Sequence, residues 1–250
     1  MVNIDNTKTS HRSYVYTKED FVGPIKSTYP NTDNVDFVKT DLKTFFEKNG
    51  TSVEDINKNI KTEVINSGVG TCEGVVTAAT SLINSLLKYD VKLPYISSVT
   101  SSPSIDGQAF GKYNGYGINP TWGTEGKWWS EYQRYYYQTG LDCSGFISWA
   151  LHNGGYKYQE LHSSSFLNLG KNYSMSDYTG KAGDLLWRKG HIALILGVED
   201  DGYVIAQEAG GENGLVVSKT SFNGVDSVEE KDFTTIVDMT DYYNNPSNLA

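Results

Sequence analysis

The sequence predicts an α+β fold, because helical and strand-like patterns occupy different parts of the chain. Residues 71–88 carry apolar side chains at helical spacing, and residues 142–153 form a second helical pattern that ends at two glycines. Beyond it, two apolar runs at 191–198 and 203–209 flank the turn signal Asp200-Asp201-Gly202. Helices followed by a strand meander are typical of helices packed on an antiparallel sheet.

The N-terminal quarter of the sequence has a different residue pattern from the rest of the chain. Residues 33–49 have the spacing of a short amphipathic helix, and residues 51–65 that of a second one. We therefore interpret residues 1–65 as a helical N-terminal extension or the remnant of a linker, ahead of one main domain over residues 66–250. Further strands are predicted at 183–187, 214–219 and 233–239.

Composition excludes several partner classes. The formal net charge of −9 argues against nucleic acid and against an anionic membrane surface. No apolar run approaches the roughly 20 residues needed to span a bilayer, and the polar start of the chain lacks the pattern of a signal peptide. With 38% hydrophobic and 20% charged residues, the chain is typical of a globular protein.

The two cysteines are too few for a disulfide scaffold, so both are expected to be reduced thiols. Cys143 follows Asp142, a good N-cap, and therefore lies in the first turn of a helix. The helix dipole favours an anion there, so we expect a lowered thiol pKa and a reactive thiolate. The alternative is that Cys143 is a small, inert core residue.

One of the four histidines, His191, begins an apolar strand directly after Lys189-Gly190. An imidazole at a strand mouth is held by rigid backbone and stays open to a groove. Cysteine and histidine from distant segments form the activated nucleophile of many hydrolases. Taken alone His191 has a structural interpretation, but paired with Cys143 it is a candidate general base. No Cys or His cluster has zinc-ligand spacing, so neither a metal nor a cofactor is expected.

The order and spacing of these motifs resemble the NlpC/P60 family of papain-like cysteine peptidases of bacterial cell walls. The resemblance covers roughly residues 70–238. It is carried by the runs Asp142-Cys143-Ser144-Gly145-Phe146, Ala182-Gly183-Asp184-Leu185, Gly190-His191-Ile192-Ala193-Leu194-Ile195-Leu196-Gly197 and Leu93-Pro94-Tyr95.

The resemblance implies a papain-like fold, in which the helix bearing Cys143 packs on an antiparallel sheet bearing His191. It also implies a peptidoglycan endopeptidase, extracellular or associated with the cell wall, that cleaves the stem peptide through a thiol acyl-enzyme. The family's typical bond joins γ-D-glutamyl to a diamino acid. The alternatives are an N-acetylmuramoyl-L-alanine amidase or an amide transferase using the same dyad, or a catalytically idle wall-binding protein.

The family's third catalytic residue is often a histidine on the strand after the His191 strand, and this sequence has none there. Glu208-Ala209 fits the motif best, so the resemblance implies Glu208 as the residue that orients His191, with Gln207 as the alternative. Neighbouring strand residues face opposite ways, so only one of the two can point at the imidazole.

Four residues are expected to contact substrate. Asp142 and Ser144 flank the nucleophile, Tyr95 is placed over the groove by the resemblance, and Trp122 belongs to an aromatic-rich insertion at residues 96–140. Tyr113 and Tyr116 of the insertion are further candidates. The alternative is that these insertion aromatics only pack the loop on itself.

Overall fold

The structure is a computed structural model that describes residues 23, 28–95, 140–157, 159, 161–210, 213–229 and 231–250, together with the backbone of 126–129 and 134–137. The described part combines helices with a six-stranded antiparallel sheet, which confirms the predicted α+β class. Most of the insertion at 96–140 lies outside the described residues.

The four longer helices begin where the sequence offers a capping side chain. The helices are α1 Leu42–Lys48, α2 Val53–Ser67, α3 Cys72–Leu87, α4 Cys143–Asn153 and the short α5 Thr240–Tyr243, with 3₁₀ turns at Ser163–Asn168 and Pro246–Asn248. Ser52 and Thr71 cap α2 and α3 by accepting backbone N–H groups three residues on. The predicted helix at 33–49 is shorter than expected, because Asp36–Phe37 forms a strand before it.

The described strands form three sheets. Strands β1 Asp36–Phe37 and β2 Val91–Lys92 pair in parallel, while β3 Gly126–Trp129 and β4 Arg134–Tyr137 pair antiparallel. The main sheet contains β5 Lys171–Ser174, β6 Leu185–Arg188, β7 His191–Glu199, β8 Gly202–Ala209, β9 Gly214–Ser221 and β10 Thr235–Asp238, in the order β5-β10-β6-β7-β8-β9.

Both faces of the central strands are buried. On β7, Leu194 and Leu196 pack with the helices in the larger hydrophobic core, whereas Ala193 and Ile195 face a smaller cluster that contains Phe233. This alternation follows from the two-residue period of a strand. The larger core therefore lies between the sheet and helices α3 and α4.

The N-terminal helices belong to that same core. Phe46 of α1 and Ile60 of α2 are buried in the cluster that also holds Leu82 of α3. Each such side chain contributes roughly 1.5–3 kcal/mol when fully buried. Residues 28–65 therefore pack as a layer on the main domain.

The turn before β6 ties α3 to the sheet. Gly183 has a φ of +88°, and a Cβ there would lie 2.2 Å from the Cys72 sulfur. The Cys72 thiol donates to the carbonyl of Ala182 at 2.9 Å, and Lys181 and Asp184 form a buried ion pair at 3.2 Å. Cys72 therefore packs the start of α3 against the start of β6.

Candidate active site

Cys143 is the first residue of α4, as the sequence predicts. The Asp142 carboxylate caps the helix by accepting the Gly145 N–H at 2.6 Å and the Ser144 hydroxyl at 2.9 Å. All of these groups are buried, and Cys143 itself is only 4% exposed. The cap fixes the sulfur at the helix start.

The sulfur lies against the open end of the β7–β8 ladder. Strand pairing between β7 and β8 begins only at Leu194 and Ala206, so the first residues of β7 lack a partner on β8. The Ile192 N–H donates to the Cys143 sulfur, and the Gly190 carbonyl oxygen lies 4.0 Å from it. Cys143 thus contacts the backbone on both sides of His191.

The thiol is held in its protonated form. Burial, followed by the negative charge of Asp142, raises the pKa of Cys143 to about 12, although hydrogen bonds from Ile192, Ser144 and Tyr95 oppose the shift. The expected lowering by the helix start is therefore wrong for this structure. Desolvation of the buried anion outweighs the hydrogen bonds that favour the thiolate, including the one from Ser144 at the helix start.

Gln207 holds the His191 ring in place through a hydrogen bond. The His191 Nε2 lies 2.6 Å from the Gln207 Oε1, and the His191 ring centroid lies 5.8 Å from that of Phe233. Burial and the nearby positive charge of Arg188 lower the pKa of His191 to about 4, so the ring is neutral near pH 7. Between the described side chains of Cys143 and His191 there is no hydrogen bond.

Gln207, not Glu208, is the residue that contacts His191. Strand β8 alternates, with Ile205 in the smaller cluster and Ala206 in the helix core, so Gln207 shares the His191 face and Glu208 faces the helices. Glu208 is fully buried, and neither of its carboxyl oxygens has a hydrogen-bond partner among the described residues. The prediction that Glu208 orients His191 is therefore wrong.

The expected substrate contacts occupy different positions. Tyr95 has its hydroxyl in hydrogen-bonding contact with the Cys143 sulfur, and its backbone bridges to Leu141 just before α4. Asp142 and Ser144 are hydrogen-bonded to each other at the helix start, so they support the position of Cys143. Trp122, like Tyr113 and Tyr116, lies outside the described residues.

A polar network behind His191 was not predicted from the sequence. The Gln207 amide nitrogen donates to the Ser218 hydroxyl at 2.9 Å and to the two Asp226 oxygens at 3.2 and 3.3 Å. Arg188 pairs with Asp226 at 3.4 Å and also with Glu229. The one available signal was Arg188 itself, a cation at the end of an apolar strand and directly before the turn to His191.

Among the described residues, no group of three or more His, Cys, Asp or Glu side chains is arranged to hold a metal ion. None of the helices described is long and apolar enough to cross a membrane. A cavity of about 720 Å³ lies away from Cys143, between residues 29–34 and β9.

Comparison with known proteins gives no match. Protein-family models, curated proteins and solved structures were each compared with this chain, and none of them matches it.

Proposed function

We propose that this chain is a papain-like thiol hydrolase of the NlpC/P60 type, with Cys143 as nucleophile and His191 as general base. One observation carries the proposal. The helix-start thiol of Cys143 contacts the backbone on either side of His191, while a buried amide fixes the imidazole from behind. A cysteine, a histidine and an orienting third group form the constellation of an activated nucleophile.

The mechanism starts from neutral side chains. Since the pKa of Cys143 is raised and that of His191 is lowered, the thiol proton moves to His191 as the sulfur attacks the amide carbonyl. The imidazolium then protonates the leaving amine, and an acyl-enzyme remains on Cys143. Water releases the acyl group with His191 again acting as base.

Two further groups have roles in this proposal. Backbone N–H groups at the start of α4 stabilise the negative charge that develops on the carbonyl oxygen. The Tyr95 hydroxyl, which contacts the sulfur, lies beside the attacking atom and defines one wall of the substrate groove. Gln207 fixes the ring so that His191 does not rotate away from the thiol.

The proposed substrate is the stem peptide of peptidoglycan, with cleavage between γ-D-glutamyl and a diamino acid. Support comes from the ordered motifs around Cys143 and His191 in the sequence. A cell-wall substrate implies that the protein acts outside the cell or at the wall.

The test is digestion of purified muropeptides of known stem composition, followed by mass spectrometry of the products. We expect one new pair of peptide fragments with the wild-type protein and none with Cys143→Ala, since loss of a nucleophile costs several orders of magnitude in turnover. Cys72→Ser is the matched control, because Cys72 is a buried packing thiol, and it retains turnover.

Each other product identifies a different function. Release of the whole stem from the sugar indicates an amidase, and a product carrying a second amine indicates a transferase. Binding to the wall without any product indicates a wall-binding protein. Cleavage that persists in Cys143→Ala would contradict the mechanism.

A further inference from the structure

The Gln207 side chain lies between the His191 ring and the Asp226 carboxylate, and its two ends contact different groups. Its Oε1 is 2.6 Å from the His191 Nε2, and its amide nitrogen is 3.2 and 3.3 Å from the oxygens of Asp226. Gln207 is fully buried and Asp226 is 2% exposed, so water does not compete for these bonds. The orientation of this amide therefore determines whether a hydrogen-bond acceptor or a donor faces the His191 Nε2.

Asp226 permits only one of the two amide orientations. An ionised carboxylate only accepts hydrogen bonds, so the amide nitrogen of Gln207 has to face it. The other neighbour of that nitrogen, the Ser218 hydroxyl, can either donate or accept and therefore leaves the choice open. It is the carboxylate that turns the Gln207 oxygen toward the imidazole.

The charge on Asp226 is itself supported by the fold. The Arg188 guanidinium lies 3.4 Å from its Oδ2, and the Val228 N–H donates to its Oδ1 at 3.1 Å. Arg188 is fixed in turn by Glu229 and by the Phe233 ring, whose centroid is 4.9 Å from the guanidinium carbon. Charge-assisted bonds of this kind are about twice as strong as neutral ones.

We infer that Asp226 is a positioning residue that acts through Gln207 to hold the neutral His191 ring in the tautomer with its proton on Nε2. The Gln207 oxygen can only accept, so Nε2 has to donate, and Nδ1 keeps its lone pair. The use of that lone pair to take the Cys143 proton rests on the proposed function. The assignment of the tautomer does not depend on that function.

The alternative is that Asp226 serves only as the counter-ion of Arg188. The two roles separate in a pair of variants. Asp226→Asn keeps the shape but can accept or donate, so Gln207 is free to turn and to present its nitrogen to His191. Glu229→Gln weakens the pairing of Arg188 and leaves Gln207 untouched, because Glu229 contacts Arg188 and the Gly210 N–H.

The experiment is ¹⁵N NMR of the histidine rings near pH 7 in protein labelled at the ring nitrogens, with the His191 signals identified by their loss in His191→Ala. We expect a single Nε2–H tautomer in the wild type and in Glu229→Gln. Asp226→Asn should show a measurable Nδ1–H population. With substrate, the same variant should lose kcat by about ten- to a hundredfold with little change in KM, and Asp226→Glu should recover part of it.

Two results would overturn the inference. The first is a wild-type ring protonated on Nδ1, which needs no variant and so does not depend on how well Asp226→Asn folds. The second is a ring that stays wholly in the Nε2–H form in folded Asp226→Asn. Neither readout requires turnover, so a chain that cleaves no muropeptide still tests the role of Asp226.

Discussion

The protonation of Cys143 and His191 at rest is set by burial. A thiol with a raised pKa beside an imidazole with a lowered one is a neutral pair, not a thiolate–imidazolium pair. The energetic reason is that both charged forms lose their hydration in this site, and the Asp142 carboxylate and the Arg188 guanidinium each disfavour the charge nearest to them. In the proposed mechanism, reactivity of the thiol then depends on proton transfer to His191 as the sulfur attacks.

This state has a direct consequence for chemical labelling of Cys143. In a Cys72→Ser background, the rate of alkylation by iodoacetamide should be low near pH 7 and should still be rising above pH 9. Asp142→Asn removes a negative charge next to the sulfur, which lowers the thiol pKa and should speed labelling at any fixed pH. The asparagine oxygen still accepts the Gly145 N–H and keeps the helix cap. A rate that is already maximal at neutral pH would indicate an ion pair instead.

Glu208 is the residue whose burial has the clearest cost. Both of its oxygens lack a hydrogen-bond partner within the part of the chain that the structure describes, and burial, followed by the charge of Asp142, raises its pKa well above the usual value. In the unfolded chain it ionises near its ordinary pKa of about 4.3. The fold is therefore unpenalised below that pH and loses stability as the pH rises toward the folded pKa.

Glu208→Gln should accordingly stabilise the protein at pH 8 and change little at pH 4. We expect a gain of roughly 1–3 kcal/mol at the higher pH, which corresponds to a rise in Tm of about 2–4 °C per kcal/mol for a chain of this size. Thermal unfolding at both pH values checks this, and the exposed Glu47→Gln provides the control. An equal shift at both pH values would show that charge is not the cause.

At the level of elements, capping residues were the most informative part of the sequence. Thr71 and Asp142 predicted the starts of α3 and α4 correctly, because an N-cap is a local hydrogen bond that needs no tertiary information. Strand β5, by contrast, was missed. Its side chains are polar and mostly exposed at the edge of the sheet, so it lacks an apolar run.

The error over Glu208 has an equally physical cause. Every residue of β8 is buried, since one face of the strand meets the helix core and the other meets the Phe233 cluster. A strand buried on both faces has no polar–apolar alternation. The sequence therefore indicated that either Gln207 or Glu208 faces His191, but it did not indicate which of the two. The contact also depends on Asp226, which comes from a distant loop.

The elements at the other end of the sheet are tied together by one buried cation. Lys181 pairs with Asp184 at the start of β6 and with Asp238 at the end of β10, and it donates to Thr240 at the start of α5. Removal of one partner from a buried ionic group leaves uncompensated charge, which typically costs about 3–5 kcal/mol.

Lys181→Met should therefore lower the free energy of unfolding by an amount in that range. Lys43→Met is the matched control, because the Lys43 side chain is 66% exposed and its pair with Glu47, which is 58% exposed, should contribute no more than about 1 kcal/mol. Urea unfolding of both variants measures the difference. Similar losses in the two would mean that the buried network is no more important than a surface ion pair.

At the level of the whole molecule, the N-terminal helices decide whether the chain unfolds as one unit. The buried residues of α1 and α2 join the cluster formed by α3, α4 and the sheet, so helix packing and the position of Cys143 depend on one continuous core. A core of this kind is expected to be lost cooperatively.

Two isoleucines of α2 test this dependence. Ile60 is 1% exposed, and Ile60→Ala should cost about 2–5 kcal/mol, because it removes buried methyl groups and leaves a cavity. Ile65 is 55% exposed on the same helix, so Ile65→Ala should change stability by no more than about 0.5 kcal/mol.

The number of unfolding transitions is a stricter test of cooperativity than the size of these losses in stability. In Ile60→Ala, far-UV circular dichroism and the alkylation of Cys143 should report the same, lowered midpoint of unfolding. If α2 were an independent layer, the helical signal would fall first while Cys143 stayed protected up to the wild-type midpoint. Two separate transitions would thus indicate that residues 28–65 are a separate extension, whereas one shared transition makes them part of the framework that holds Cys143.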